Sequence, residues 1–155
     1  MARFVFKLEG VLEHRKHIER ERQRDLAQVQ QQMAALQREL RELNESMQQA
    51  TADVRSHHLV GRLDMNLLAA HRRFLASGQR KAMQIAQRMA LVQQQIQAAQ
   101  AALAAAARDR KVLEKLRERH QTRWQLEQSR KETIELDEIA TRLGAETMME
   151  NGHVA

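Results

Sequence analysis

Residues 26–54 read LAQVQQQMAALQRELRELNESMQQATADV. Their apolar members Leu26, Val29, Met33, Leu36, Leu40, Leu43, Met47, Ala50 and Val54 fall at alternating steps of three and four, without exception. That is the spacing of an a/d seam, which turns one narrow stripe of a helix toward a single neighbouring helix. The chain of 155 residues contains no proline and only five glycines, so little in it stops a long helix.

A second seam runs through Ile85, Met89, Val92, Ile96, Ala99, Leu103, Ala106, Arg110 and Leu113, with Arg110 as its polar intruder. Its alanine-rich stretch, Ala98 to Ala107, favours helix and carries little bulk, so close helix approach is expected there. Between the seams, Ser56-His57-His58-Leu59-Val60-Gly61-Arg62-Leu63-Asp64 breaks the heptad and holds the first glycine since Gly10. The turn is placed at 56–63, with Asp64 or a neighbour capping the next helix. The expected fold is all-α: one domain over 1–155, an antiparallel coiled-coil hairpin whose second helix is the longer. Helix one spans about 4–55 and helix two about 64–143. Gly144 reads as a C′ glycine, followed by a frayed tail over 144–155. Ser77-Gly78 is a second weak point, where glycine costs a helix about 1 kcal/mol and either a kink or the turn itself fits.

A turn near residue 60 sets residues whose numbers sum to roughly 120 opposite one another, because both helices rise equally per residue. Helix one then runs out opposite about Leu116, where the second seam thins to Trp124, Ile134, Ile139 and Leu143. A turn at Ser77-Gly78 leaves that thinning without a reason, so the earlier turn is preferred. Between Ile18 and Leu26 the first stripe lapses into charged residues and Gln, and a phase break there would change the supercoil locally.

Composition narrows the function. With 3% aromatic and 30% charged residues, a thick core is not expected. The absence of cysteine removes disulfides and thiolate metal sites. The opening Met1-Ala2-Arg3-Phe4-Val5-Phe6-Lys7 is too short and too soon charged for a signal peptide, and no stretch approaches the ~18 apolar residues of a membrane span. A soluble cytoplasmic protein is the expectation. The net charge of +6 is interleaved with acids over 14–24 and 108–119, as on a solvated helix face laced with i,i+4 pairs. No coherent basic face with stacking aromatics emerges, which argues against nucleic acid.

No phosphate-binding glycine motif and no His-Glu-x-x-His occur. His14 and His17, near Glu13 and Glu21, are weighed as metal ligands, but exposed histidines on a charged helix are more often solvated. His57-His58 sit in the expected turn. Two helices alone wall off no concave site, so the reading is a non-enzyme without cofactor or metal.

Two regions look like partner surfaces. One is Arg72, Arg73, Phe74 and Leu75, where Phe beside Arg makes an interface anchor; the competing role for Phe74 is to cap the hairpin's own core. The other is the terminal end, with Phe4, Phe6, Leu8 and Leu12 on one side of the hairpin and Ile134, Leu136, Ile139 and Leu143 on the other. There the alternative is that the termini fold back or self-associate.

Three segments carry a family resemblance. Phe4-Val5-Phe6-Lys7-Leu8-Glu9-Gly10-Val11-Leu12-Glu13-His14-Arg15 is one, and Leu67-Leu68-Ala69-Ala70-His71-Arg72-Arg73-Phe74-Leu75 is the second. The third is Leu113-Glu114-Lys115-Leu116-Arg117-Glu118-Arg119 followed by Glu135-Leu136-Asp137-Glu138-Ile139-Ala140. Together and in order they resemble the flagellar export protein family FliJ over nearly the full length. The sequence departs at His71 and Gly78, where an aromatic and a larger apolar residue are more usual. The resemblance implies a cytoplasmic component of the flagellar type III export apparatus, peripheral at the inner membrane at the flagellar base. It implies a stalk-like coiled coil that enters the export ATPase ring, promotes ring assembly, and connects to the ring's regulator, the membrane export gate and export chaperones. The terminal end (Phe4, Phe6, Leu8, Leu12, Leu136, Ile139, Leu143) would face the ATPase, and Arg72–Leu75 the gate. The free protein would be a monomeric hairpin acting in protein export and motility. A generic coiled-coil scaffold and the stalk of a virulence-type secretion system remain as alternatives.

Overall fold

A computed structural model describes the backbone of residues 3–57, 61 and 64–151, and the side chains of 3–56, 61 and 64–143. Two helices, α1 (Glu9–His57, 49 residues) and α2 (Met65–Asn151, 87 residues), pack against each other as a hairpin, with no strand among the described residues. The chain divides into two compact units: Met1–Lys16 with Arg108–Ala155, and His17–Ala107.

In the second unit, the α1 seam from Leu26 to Val54 lies half-buried along its whole length, as expected of a helix with one neighbour. On α2, Ile85, Ile96 and Ala106 are buried, and Met89, Val92, Ala99 and Leu103 are half-buried. The same stepping continues back from Ile85 through Ala82, Gly78, Leu75 and His71, all buried or half-buried. The seam therefore occupies α2 from near its start. Lys81 reaches Glu39 at 3.3 Å, and Nε2 of His71 lies 3.5 Å from Oγ1 of Thr51, both close to the expected register.

Gly78 does not end α2. It is buried in the helix interior, and a Cβ built on it would stand 2.5 Å from Sδ of Met47. The missing side chain makes room for the long Met47 side chain of α1. That is a close-approach role for a residue whose sequence reading is that of a breaker.

Asp64 caps α2. Its Oδ1 accepts from the backbone N–H of Asn66 at 2.9 Å and of Leu67 at 3.4 Å, satisfying two donors that the helix start leaves open. Gly61, between the helices, has φ +105°, a conformation that glycine alone enters without strain. Of the expected turn at 56–63, Ser56 and His57 close α1, while His58, Leu59, Val60, Arg62 and Leu63 lie outside the described residues.

In the first unit, Arg15 pairs with Asp109 at 3.0 Å, and Glu9 with Arg117 at 3.3 Å. α1 thus begins opposite Arg117, a sum of 126, where the expected register of about 120 sets Glu9 opposite Lys111. It does not begin at Phe4: Arg3–Phe6 form no regular element and Lys7–Leu8 a turn. Two phenylalanines around a valine are poor helix formers, and Gly10 weakens a first turn placed there. At the other terminus α2 passes Gly144 and runs to Asn151. Ala145 and Glu146, with Met148, Met149 and Glu150, are good helix formers with no proline among them, and they override one glycine. Of the expected tail, residues 152–155 lie outside the described residues.

The lapse between Ile18 and Leu26 involves no loss of phase. Stepping back from Leu26 by four and three gives Arg22, Glu19, Arg15, Leu12 and Leu8. Leu12 is fully buried, Arg15 and Glu19 half-buried, and Arg22 exposed. The pattern keeps its period while its chemistry turns polar, which a seam of half-open positions tolerates.

Gly61→Ala is expected to lower stability by about 1–2 kcal/mol, the backbone cost, since no atom of the described residues lies within 4 Å of the new Cβ. Gly78→Ala sets about 1 kcal/mol of helix propensity against displacement of a flexible Met47, and urea melts should leave it within about 1 kcal/mol of wild type. Gly78→Leu overpacks the seam and should lose about 1–3 kcal/mol in the same measurement.

Candidate functional site

The surface near the turn lies in the second unit. Adjacent positions on a helix point about 100° apart, and here that separates Phe74 from Leu75. Leu75 is half-buried in a groove with Met47, Thr51 and Arg55. Phe74 opens on a different groove, with Ala50, Asp53, Val54, Leu67 and His71. The two grooves share no residue, so the segment Arg72–Leu75 straddles the seam instead of forming one patch. Phe74 lines its groove with Ala50 and Val54 and remains 41% exposed. Arg72 and Arg73 are exposed beside it. Leu75 was legible as seam: counting ten residues back from Ile85, in steps of three, four and three, lands on it.

The terminal surface lies in the first unit. Phe6 and Leu12 are buried, with Phe6 only 5% exposed, and so are core residues before they are surface. Phe6 meets the ring of His120 edge-on at 5.8 Å between centroids, and Phe4 lies 6.0 Å from Trp124, tilted by 56°. These are favourable aromatic geometries for rings that also shed water. Leu8 is at the border of exposure, and Leu126, Ile134, Leu136, Ile139 and Leu143 are well exposed. From Ser129 to Leu143 every side chain of α2 is exposed. Leu136, Ile139 and Leu143 share one face at steps of three and four, while Ile134 lies on another. The structure therefore does not gather the seven terminal residues into one patch. Phe4 and Phe6 face inward on Trp124 and His120, Leu12 is buried, and the three C-terminal residues form a separate apolar ridge. The inward role of Phe4 and Phe6 has a sequence signal, two aromatics spaced by two, which is an extended-chain period and not a helical one.

Electrostatics in this unit are those of exposed pairs. Arg15–Asp109 and Glu9–Arg117 have side chains about half open to solvent, and Lys16–Glu13 joins residues of a single turn. Arg110, the polar intruder of the second seam, is itself paired, with Glu114 one turn on. Among the described residues no group of three or more His, Asp or Glu converges as a metal site, and His17 is paired with Glu21 at 3.2 Å. Among the same residues no helix is long and apolar enough to cross a membrane.

The family model described as Flagellar FliJ protein matches residues 4–148. The chain belongs to the FliJ family. The match runs from the first ring of the N-terminal segment to beyond the exposed ridge of α2, so both candidate surfaces fall inside it. FliJ membership makes this a flagellar export-related protein. No curated protein and no solved structure matches the chain.

Magnitudes rank the contacts of the first unit. Arg15→Ala and Arg117→Ala should each cost no more than about 1 kcal/mol at low salt, and the loss should fade in 1 M NaCl. Leu12→Ala empties a fully buried site and should cost about 2–5 kcal/mol at any salt, read from urea melts.

Proposed function

We propose that this chain is a coiled-coil component of the flagellar export apparatus that binds in the ring of the export ATPase through its terminal end. In this reading it promotes the assembly and activity of that ring and its regulator. Through the Phe74 surface it connects them to the membrane export gate and to export chaperones, at the cytoplasmic side of the inner membrane. The observation that carries the reading is the bare part of α2. A FliJ-family chain uses its other apolar stripes in its own seam, yet leaves Leu136, Ile139 and Leu143 exposed on one face over residues where all side chains are open. Exposed ridges of that kind mark surfaces that another protein covers.

The mechanism is mechanical. The chain supplies a stiff element, and hydrolysis belongs to the ring that receives it. Fifteen residues of helix from 129 to 143 present about 22 Å of surface, enough to reach several side chains deep into a ring opening. Five acids (Glu127, Glu132, Glu135, Asp137, Glu138) and three bases (Arg130, Lys131, Arg142) surround the ridge and the turns before it. Such charges set orientation and encounter rate more than affinity.

The test is a pull-down of the purified export ATPase on the full chain, scored together with its hydrolysis rate. Binding with a raised rate is the expected result, and Leu136→Ala with Ile139→Ala and Leu143→Ala should abolish both while circular dichroism stays helical. Sedimentation should give a monomer. No binding by folded wild-type protein, or a stable dimer of unbroken helices, would sink the reading. For the second surface, Phe74→Ala with Arg73→Ala is the suitable variant, because Leu75 belongs to the seam. It should weaken gate binding and motility without changing helix content.

A further inference from the structure

The segment Arg3–Leu8 continues the seam of α2 without being a helix. Its exposure alternates along the chain: Phe4 half-buried, Val5 open, Phe6 buried, Lys7 open. Phe4 lies on Trp124 and Phe6 on His120, so a step of two residues in the segment answers a step of four in α2. The lengths agree, since two extended residues span about 6.6 Å and four helical residues about 6 Å. The segment is a strap laid along one turn of α2. It is tied to α1 by Glu9 N–H to the Phe6 carbonyl at 3.1 Å and by Leu12 N–H to the Leu8 carbonyl at 2.9 Å. Among the described residues no backbone hydrogen bond joins it to α2. Two rings hold it down.

We infer that Arg3–Leu8 is a releasable strap, and that its detachment from His120 and Trp124 lengthens the uncovered face of α2 in line with Ile134, beside the partner-binding ridge. Little else opposes release. Val5 is 75% exposed, and the groove beside the strap, walled by Phe4, His120, Arg123, Trp124 and Glu127, is shallow and partly polar. Segments with few buried apolar contacts open below the free energy of global unfolding. Once the strap is off, the heptad phase of α2 runs on through His120 and Trp124 to Ile134, and a partner that pairs with α2 gains one aromatic turn. A strap closed nine-tenths of the time reduces the apparent affinity of such a partner about tenfold. The covering role rests on the proposed binding of the terminal end to the export ATPase. The release itself does not.

Trp124 is the only tryptophan and reports on the strap directly. Urea titration of the full chain, followed by Trp124 fluorescence and by helix ellipticity, should show the fluorescence change at lower urea than the loss of helix. Coincident transitions would overturn release. Phe4→Ala with Phe6→Ala should leave Trp124 solvent-exposed from the start, with ellipticity near that of wild type in the absence of urea. Its affinity for the purified export ATPase should rise by about threefold to tenfold. Early release with equal or weaker binding overturns the covering role. Absence of binding by both proteins overturns the ATPase reading and the covering role with it, and the two urea transitions then decide release alone.

Discussion

A helix with one neighbour covers about two side chains in every seven. Every other stabilising contact in this chain is subordinate to that constraint. Among the described residues the buried apolar side chains are Phe6 and Leu12 in the first unit, and Ile85, Ile96 and Ala106 in the second. With so few, the chain cannot afford a slipped register. Small residues on α2 (Gly78, Ala82, Ala99, Ala106) let α1 come close, and the larger ones on α1, such as Met47, fill what they leave. Charged residues at Arg15 and Glu19 are tolerated in seam positions because those positions remain half open, where a long side chain covers its neighbour with its stem and keeps its charge in water.

How legible each feature was in the sequence depends on whether its cause is local. The period of Leu26 to Val54 is a property of the chain itself, and so is the capping chemistry of Asp64. Both are read directly. Register follows from equal helical rise once the turn is located, so Lys81 falls opposite Glu39 at a sum of 120, whereas Arg15–Asp109 and Glu9–Arg117, at 124 and 126, depart from it further from the turn. Gly78 is different. Whether glycine breaks a helix or admits a neighbour depends on what stands opposite, and Met47 is 31 positions away in the chain. Gly144 fails as a helix end for a related reason, since one unfavourable residue among good helix formers is outweighed. Leu75 was read with Phe74 because the two are consecutive, whereas a helix sends consecutive residues to different sides.

The candidate surfaces divide along the same line. Their composition was visible, but their exposure was not, since Phe6 and Leu12 look as available as Leu136 and Ile139 until their neighbours are known. Outside the seam of this FliJ-family chain, the ridge on α2 and the Phe74 groove beside two arginines stay open. The interleaved charges of the long helices keep such a surface soluble while the ridge stays apolar.

The strap and the seam also differ in what they tolerate as the chain varies. An insertion of one residue before Glu9 reverses the parity of the strap and turns Val5 and Lys7 toward α2, but an insertion of two restores it. The paired helices recover less readily, because a lost residue there rotates all that follows by about 100°, and a whole heptad is the shortest change that leaves both the stripe and the supercoil as they were. Homologous chains should therefore differ between the strap and the start of α1 in even steps, and in the length of their hairpin in sevens on each arm.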